Sequence, residues 1–241
     1  DKDYPMPAAF DLAYDNSAIL VVEADLDRIS DPEIVQYQNT QFMLPEGQTL
    51  QTVLDDEVYQ QLEKIVGGPD GINAISQYKP SAIINSLQVY YLQQNRFTKE
   101  GADLYYFAKS KEEGKPVYFL EDIKIQIDVI GNMADGRENE YVSTFLDTLP
   151  YYTNETASLI SAWKTGEKIG IEAMLDAQRT EWPAMYNILI HDRNTAWMPK
   201  IEEYLTTEQL EFVVVGLAHL HGQDGLLTRL KNKGYTINFY P

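Results

Sequence analysis

Two glutamates and one histidine stand where three apolar runs end. The runs are Ile19-Leu20-Val21-Val22-Glu23, Val117-Tyr118-Phe119-Leu120-Glu121 and Phe212-Val213-Val214-Val215-Gly216-Leu217-Ala218-His219. Short β-branched runs of this kind predict buried strands. Gly216 reads as a glycine-permitted turn that stops the third strand and presents the imidazole just beyond it. If the strands are parallel, their carboxyl ends share one edge, where open α/β sheets collect ligands and catalytic groups. A catalytic divalent ion takes three N or O protein ligands and keeps one position open for water, and His219 with one or two glutamates is one ligand short of a comfortable site. Such an ion lowers the pKa of its water and polarises a carbonyl, and a second carboxylate can serve as general base. Plainer readings stay open beside this one. A strand-end glutamate can cap the helix that follows, as Asp122 beside Glu121 suggests, and His219 can be an ordinary loop histidine.

Other residues enter the same question. Arg193 falls where a helix is expected to start, a place the helix dipole makes unfavourable for a cation. It therefore needs a partner. It is either an oxyanion or carboxylate clamp facing the site or the ion-pair partner of Asp192 or Glu203. His221, two residues past His219, can chelate with it or be incidental. His191 reads as a helix-end histidine. There is no H-E-x-x-H, no phosphate-binding glycine loop and no Ser-His-Asp signature.

The elements that must position these groups follow from hydrophobic period and breakers. Residues 7–16 predict a short helix with Pro7 at its start. The run 19–23 is apolar on both faces and so predicts a central strand. Helices are expected over 30–42, over 49–66 from spacings of three and four, and after Lys79-Pro80-Ser81. Gly101-Ala102-Asp103 opens a helix that Gly114-Lys115-Pro116 ends before the second strand. The C-terminal segment repeats that shape, with a helix over 224–233, a stop at Gly234 and a strand over 235–240. Three helix-to-strand units predict an α/β fold with a mainly parallel central sheet and surrounding helices. Residues from about 122 to 210 are helical in pattern. They read as an insertion or cap within a single domain spanning 1–241.

Composition narrows the partners. The chain has 241 residues, 44% of them hydrophobic, with 17 Tyr and 8 Phe, which supplies a core and argues against disorder. Lys and Arg number 19 against 37 Asp and Glu, a formal charge of −18, which disfavours nucleic acid and anionic membrane as partners. The absence of cysteine excludes disulfides, thiolate zinc sites and a cysteine nucleophile. No apolar run approaches the ~20 residues of a membrane-spanning helix.

At this point the chain resembles the TraB/GumN (PrgY-like, Tiki-related) family along essentially its whole length. The carrying residues are Tyr4-Pro5-Met6-Pro7 with Ala13, then Val21-Val22-Glu23-Ala24-Asp25-Leu26. They continue with Gly101-Ala102-Asp103, Gly114-Lys115-Pro116-Val117 and Leu120-Glu121, then Arg193-Asn194 with Trp197. The last are Val215-Gly216-Leu217-Ala218-His219-Leu220 with Gly222, Gly225-Leu226-Leu227 and Gly234-Tyr235. The resemblance implies a TraB-type α/β fold related to erythromycin-esterase-like proteins, and a metal-assisted hydrolase, a peptidase acting on a peptide or protein. It implies a divalent ion (Mn, Co or Zn) with His219 and Glu23 as ligands. Glu23, Glu121, Arg193 and His219 are then the catalytic set, with Gly216 to His219 as the second of the family's two G-x-x-H motifs. The first normally stands just before the Tyr-Pro-Met-Pro segment and is absent from the sequence as given, either trimmed or never present, and the first strand of the sheet is expected to be absent with it. His221 takes a position that is usually apolar or small in the family. Two further readings are a non-catalytic peptide-binding protein and a metal-free esterase-like hydrolase with a histidine base. Zero cysteine, the missing initiator Met and the family's frequent secretion give an extracytoplasmic bacterial location as the expectation: periplasmic, secreted or lipid-anchored.

Overall fold

The computed structural model describes residues 6–95, 97 and 101–238. The chain forms two compact units. The first draws on 1–28, 98–123 and 161–241, and the second on 29–97 and 124–160. The segment 122–210 contributes to both.

The first unit is built on a parallel sheet of three strands, β1 (Ile19–Val22), β2 (Val117–Phe119) and β3 (Glu211–Val214), in the order β2-β1-β3. The most apolar run is the central strand, as its sequence predicts. Leu20 pairs with Val117 on one side and Phe212 on the other, and Val22 with Phe119 and Val214. All four residues of β1 are buried, and successive side chains go to opposite faces. Leu20 and Val22 pack with Met6, Tyr14, Tyr106 and Phe107. Ile19 and Val21 pack with Leu120, Trp197, Met198, Ile201 and Leu226. Each side chain so removed from water stabilises the fold by roughly 1.5–3 kcal/mol.

The helix Ala102–Glu113 reaches β2 through Gly114, which is left-handed at φ +70° and lets the chain reverse out of the helix. Lys115 then pins the turn. Its Nζ donates to the carbonyls of Tyr14 and Ser17 and lies 3.7 Å from the Tyr14 ring centre. Burial pushes the Lys115 pKa down. The C-terminal unit of the expected pattern is only half formed. The helix Leu226–Asn232 is present, but residues 235–238 form no strand, and 239–240 lie outside the described residues. The Tyr235 N–H turns back onto the Leu230 carbonyl at 3.1 Å instead of onto a sheet partner.

The second unit is helical. Its core gathers Leu50, Leu54, Val58, Leu62, Ile72, Ile83, Ile84, Val142 and Phe145. The periodic stretch 49–66 is two helices, Leu50–Val53 and Asp56–Ile65, not one. Leu54 is extended at φ −108°, ψ 144°, and the Asp55 N–H freed at the break donates to Asn139 Oδ1 at 2.7 Å. The apolar spacing survives because the break leaves Leu54 and Val58 in the same core. Among the described residues, no helix is long and apolar enough to cross a membrane.

Candidate functional site

The parallel sheet brings the three strand ends together. Glu23 follows β1, Glu121 lies two residues past β2, and His219 lies on the short helix Leu217–Leu220 after β3. The ladder runs on past the strands, with the Glu121 N–H donating to the Glu23 carbonyl at 2.8 Å. This fixes the separation of the two glutamates by backbone bonding alone. Gly216 does not take up a left-handed conformation, contrary to the expected glycine-dependent turn. Its φ is −55°, open to any residue. Its N–H donates to Glu23 Oε1 at 2.7 Å, and an added Cβ would stand 3.4 Å from that oxygen.

Arg193 joins all three. It is not at a helix start. The helix Pro183–Tyr186 runs through one π-helical turn, Asn187–His191, directly into the helix Asp192–Tyr204. Such turns are frequent at functional sites. Neither Asp192 nor Glu203 is its partner. Nε donates to Glu121 Oε1 and Oε2 at 3.1 and 3.0 Å. Nη2 donates to Glu121 Oε1 and to Glu23 Oε2, both at 2.6 Å. Nη1 donates to the Leu189 carbonyl at 3.3 Å and to His219 Nε2 at 3.0 Å. All five guanidinium N–H groups therefore have acceptors. Burial opposes the Arg193 charge, but the hydrogen bonds and charges of Glu121 and then Glu23 outweigh it, and its pKa is raised.

Two residues that sequence reasoning did not assign a role complete the cluster. Trp197, one turn along from Arg193, donates its Nε1–H to Glu121 Oε2 at 2.9 Å, and the guanidinium carbon lies 4.8 Å from its ring centre. Asn194 uses its amide nitrogen on the carbonyls of His219 and Asp224, at 3.1 and 2.9 Å. Its Oδ1 is therefore the acceptor facing His219 Nδ1 at 2.7 Å. Hence Nδ1 carries the proton and Nε2 turns a lone pair toward Arg193. Burial, then the Arg193 charge, lowers the His219 pKa to about 3, so the ring is neutral near pH 7. The signal available in the sequence was the i, i+4 spacing of Arg193 and Trp197, which puts both on one helix face.

Exposure grades the cluster. The Glu121 side chain is 2% exposed, Arg193 10% and Glu23 20%. His219 is buried at 5%, with its ring 4.4 Å from that of Trp197. It is thus part of the core and not a dispensable loop side chain. His221 is half-buried, with its pKa lowered by burial, and takes no part in the cluster's hydrogen bonds. His191 is bound elsewhere, its Nδ1 3.0 Å from Asp224 Oδ1.

The expected divalent ion needs three N or O donors free to converge on one point. His219 offers only Nε2, since Nδ1 is committed to Asn194, and Nε2 faces a guanidinium N–H at 3.0 Å. Both carboxylates are ion-paired to that same cation. Among the described residues no group of three or more His, Asp or Glu is arranged to hold a metal. In this arrangement the residues do not fit the ion.

Comparison with known proteins gives a consistent assignment. The uncharacterized protein YbaP of Escherichia coli (strain K12) is 24% identical over 234 residues, covering 94% of this chain and 82% of its own length. The YbaP protein of Shigella flexneri matches to the same extent. No solved structure matches the chain. The profile of the TraB/PrgY/gumN family matches residues 1–238, which includes every member of the Glu23–Glu121–Arg193–His219 cluster, and the chain belongs to that family.

Proposed function

We propose that the chain is a hydrolase that cleaves a peptide or protein substrate at the Glu23–Glu121–Arg193–His219 cluster. One observation carries this reading. A neutral histidine, two carboxylates and a buried arginine converge at the carboxyl edge of a parallel sheet, and one of the carboxylates, Glu23, is partly open to solvent. With both carboxylates and the His219 Nε2 lone pair engaged by Arg193, the step is carried by the chain's own side chains.

Glu23 is the general base. Its carboxylate takes a proton from water as the water oxygen bonds to the substrate carbonyl carbon, and it returns that proton to the leaving amine. Protonation of Glu23 weakens its hold on Arg193 Nη2. That N–H, held where it is, is then available to the oxyanion formed on the carbonyl oxygen beside it. Glu121 and Trp197 keep the guanidinium in place during the step. His219 positions Nη1 through its Nε2 lone pair and is itself aligned by Asn194.

The test is cleavage of a peptide library by the full chain in the presence of chelator, read by mass spectrometry, beside Glu23→Gln. Products that appear with the wild type and vanish with the variant are expected. Equal cleavage by both would overturn the assignment of Glu23. A second reading, binding of a peptide without cleavage, is favoured by the saturation of all five Arg193 donors. It predicts that the peptide is recovered intact but bound.

A further inference from the structure

We propose that Arg193 is the resident cation of this cluster, filling the place between Glu23, Glu121 and His219 that a divalent ion would otherwise take. The proposal concerns what the cluster binds. It stands whether or not the hydrolytic reading above holds.

Glu23 and Glu121 contribute two negative charges, the neutral His219 none and Arg193 one positive charge, so the cluster carries −1 with the arginine and −2 without it. Two carboxylates and one imidazole nitrogen are a donor set that divalent transition metals accept readily. Moreover, His219 is held as metal-ligating histidines are held, with one ring N–H donated to a fixed acceptor and the other nitrogen bearing a lone pair. The acceptor is Asn194 Oδ1, itself anchored through two backbone carbonyls. What that lone pair meets is Arg193 Nη1, and what the two carboxylates meet is Arg193 Nη2. The guanidinium thus bonds all three donors at once.

Arg193 is also built in. Trp197 lies against its face, the Leu189 carbonyl takes an Nη1 hydrogen, and Glu121 grips both Nε and Nη2. Displacing it would strip a buried cation of both its carboxylate partners. An ion entering the wild-type cluster must overcome that loss as well as its own dehydration. Removing the arginine side chain instead leaves two carboxylates and a preoriented imidazole around an emptied volume.

The experiment uses the full chain with Co²⁺ alone as the probe, read by the visible absorption of the bound ion and by the melting shift. Four proteins are compared: wild type, His219→Gln, Arg193→Ala and Arg193→Ala/His219→Gln. Wild type is expected to show no Co²⁺ signal that depends on His219. Arg193→Ala is expected to bind Co²⁺ tighter by about tenfold or more, with nitrogen-ligand absorption that the double variant loses. The proposal fails if wild type binds Co²⁺ in a His219-dependent way, or if a folded Arg193→Ala binds no better than wild type. Should Arg193→Ala not fold, Arg193→Met keeps the alkyl packing while deleting the charge. The wild-type comparison decides independently of either variant. Peptide cleavage is not a readout here, so a failed hydrolysis assay leaves this result standing and a failed metal assay leaves the hydrolysis result standing.

Discussion

Arg193 Nη1 donates to His219 Nε2 across 3.0 Å, so the histidine can gain a proton only by turning that contact into a repulsion between two cations. Burial and the adjacent guanidinium together hold its pKa at about 3, against an ordinary value of 6.5. In the unfolded chain the ring protonates normally. Between pH 6.5 and 3 the unfolded state therefore binds more protons than the folded one, and stability rises with pH across that window. The stabilisation is fully present above pH 6.5 and is lost as pH falls toward 3. Each pKa unit corresponds to about 1.4 kcal/mol, so the whole window amounts to several kcal/mol. Urea unfolding between pH 7 and 4.5 should show a steeper loss in wild type than in His219→Gln. Parallel curves would mean that His219 does not carry this dependence.

Glu121 depends on Arg193 more than Glu23 does, because its side chain is only 2% exposed against 20% for Glu23. Removing the guanidinium leaves a buried carboxylate with Trp197 as its remaining side-chain donor. Breaking a buried pair from one side costs about 3–5 kcal/mol. Arg193→Ala should fall in that range. Arg193→Lys should recover only part of it, since a single ammonium cannot reproduce the fork that meets Glu121, Glu23 and His219 together. Chemical denaturation of both variants checks the order. A lysine variant as stable as wild type would show that charge alone, not the fork, holds the strand ends.

Trp197→Phe separates the hydrogen bond from the packing at the same place. The phenyl ring keeps much of the contact with Arg193 and His219 but has no N–H for Glu121 Oε2. Leaving a buried acceptor short of a partner costs about 1–3 kcal/mol, toward the upper end for a charged one. The loss should shrink when Glu121→Gln is added, because the neutral amide carries no charge to satisfy. Thermal unfolding of the two single variants and the double gives that coupling directly, and additive effects would remove the bond from the energetic account.

The meeting of Glu23, Glu121 and His219 was legible from three apolar runs, because parallel pairing puts like ends of strands on one edge. The family was legible from short motifs in order. The need of Arg193 for a partner was legible too, but the identity of the partner was not. Glu121 lies 72 residues away in sequence, and only the sheet brings it near. That need does not come from a helix start, since the π-helical turn Asn187–His191 carries the preceding helix without a break into the one that holds Arg193. Nothing in residue spacing marks such a turn. Asn194 and Trp197 were visible as residues but not as roles, because a hydrogen bond to a histidine or a glutamate depends on orientation. The break at Leu54 was hidden for a different reason. Both halves keep their apolar residues in one core, so the period continues across it.

Gly114 and Gly216 provide a last contrast, since both sit at turns beside strands but for different physical reasons. Gly114 is left-handed at φ +70° with nothing within 4 Å of an added Cβ. An alanine there has room but the wrong backbone, a strain of about 1–2 kcal/mol. Gly216 is at φ −55°, ψ 138°, where alanine is unstrained and lowers the entropy of the unfolded chain, a gain of about 0.4–1 kcal/mol. Against that gain stands the added methyl, 3.4 Å from Glu23 Oε1 and 3.6 Å from His219 Cδ2, which displaces solvent from a carboxylate without removing its N–H partner. The two contributions are of similar size, so Gly216→Ala should stay within about 1 kcal/mol of wild type, while Gly114→Ala melts measurably lower. If Gly216→Ala is the more damaging of the two by thermal melting, the close approach of Glu23 to the turn, and not backbone conformation, is what demands glycine in the G-x-x-H segment.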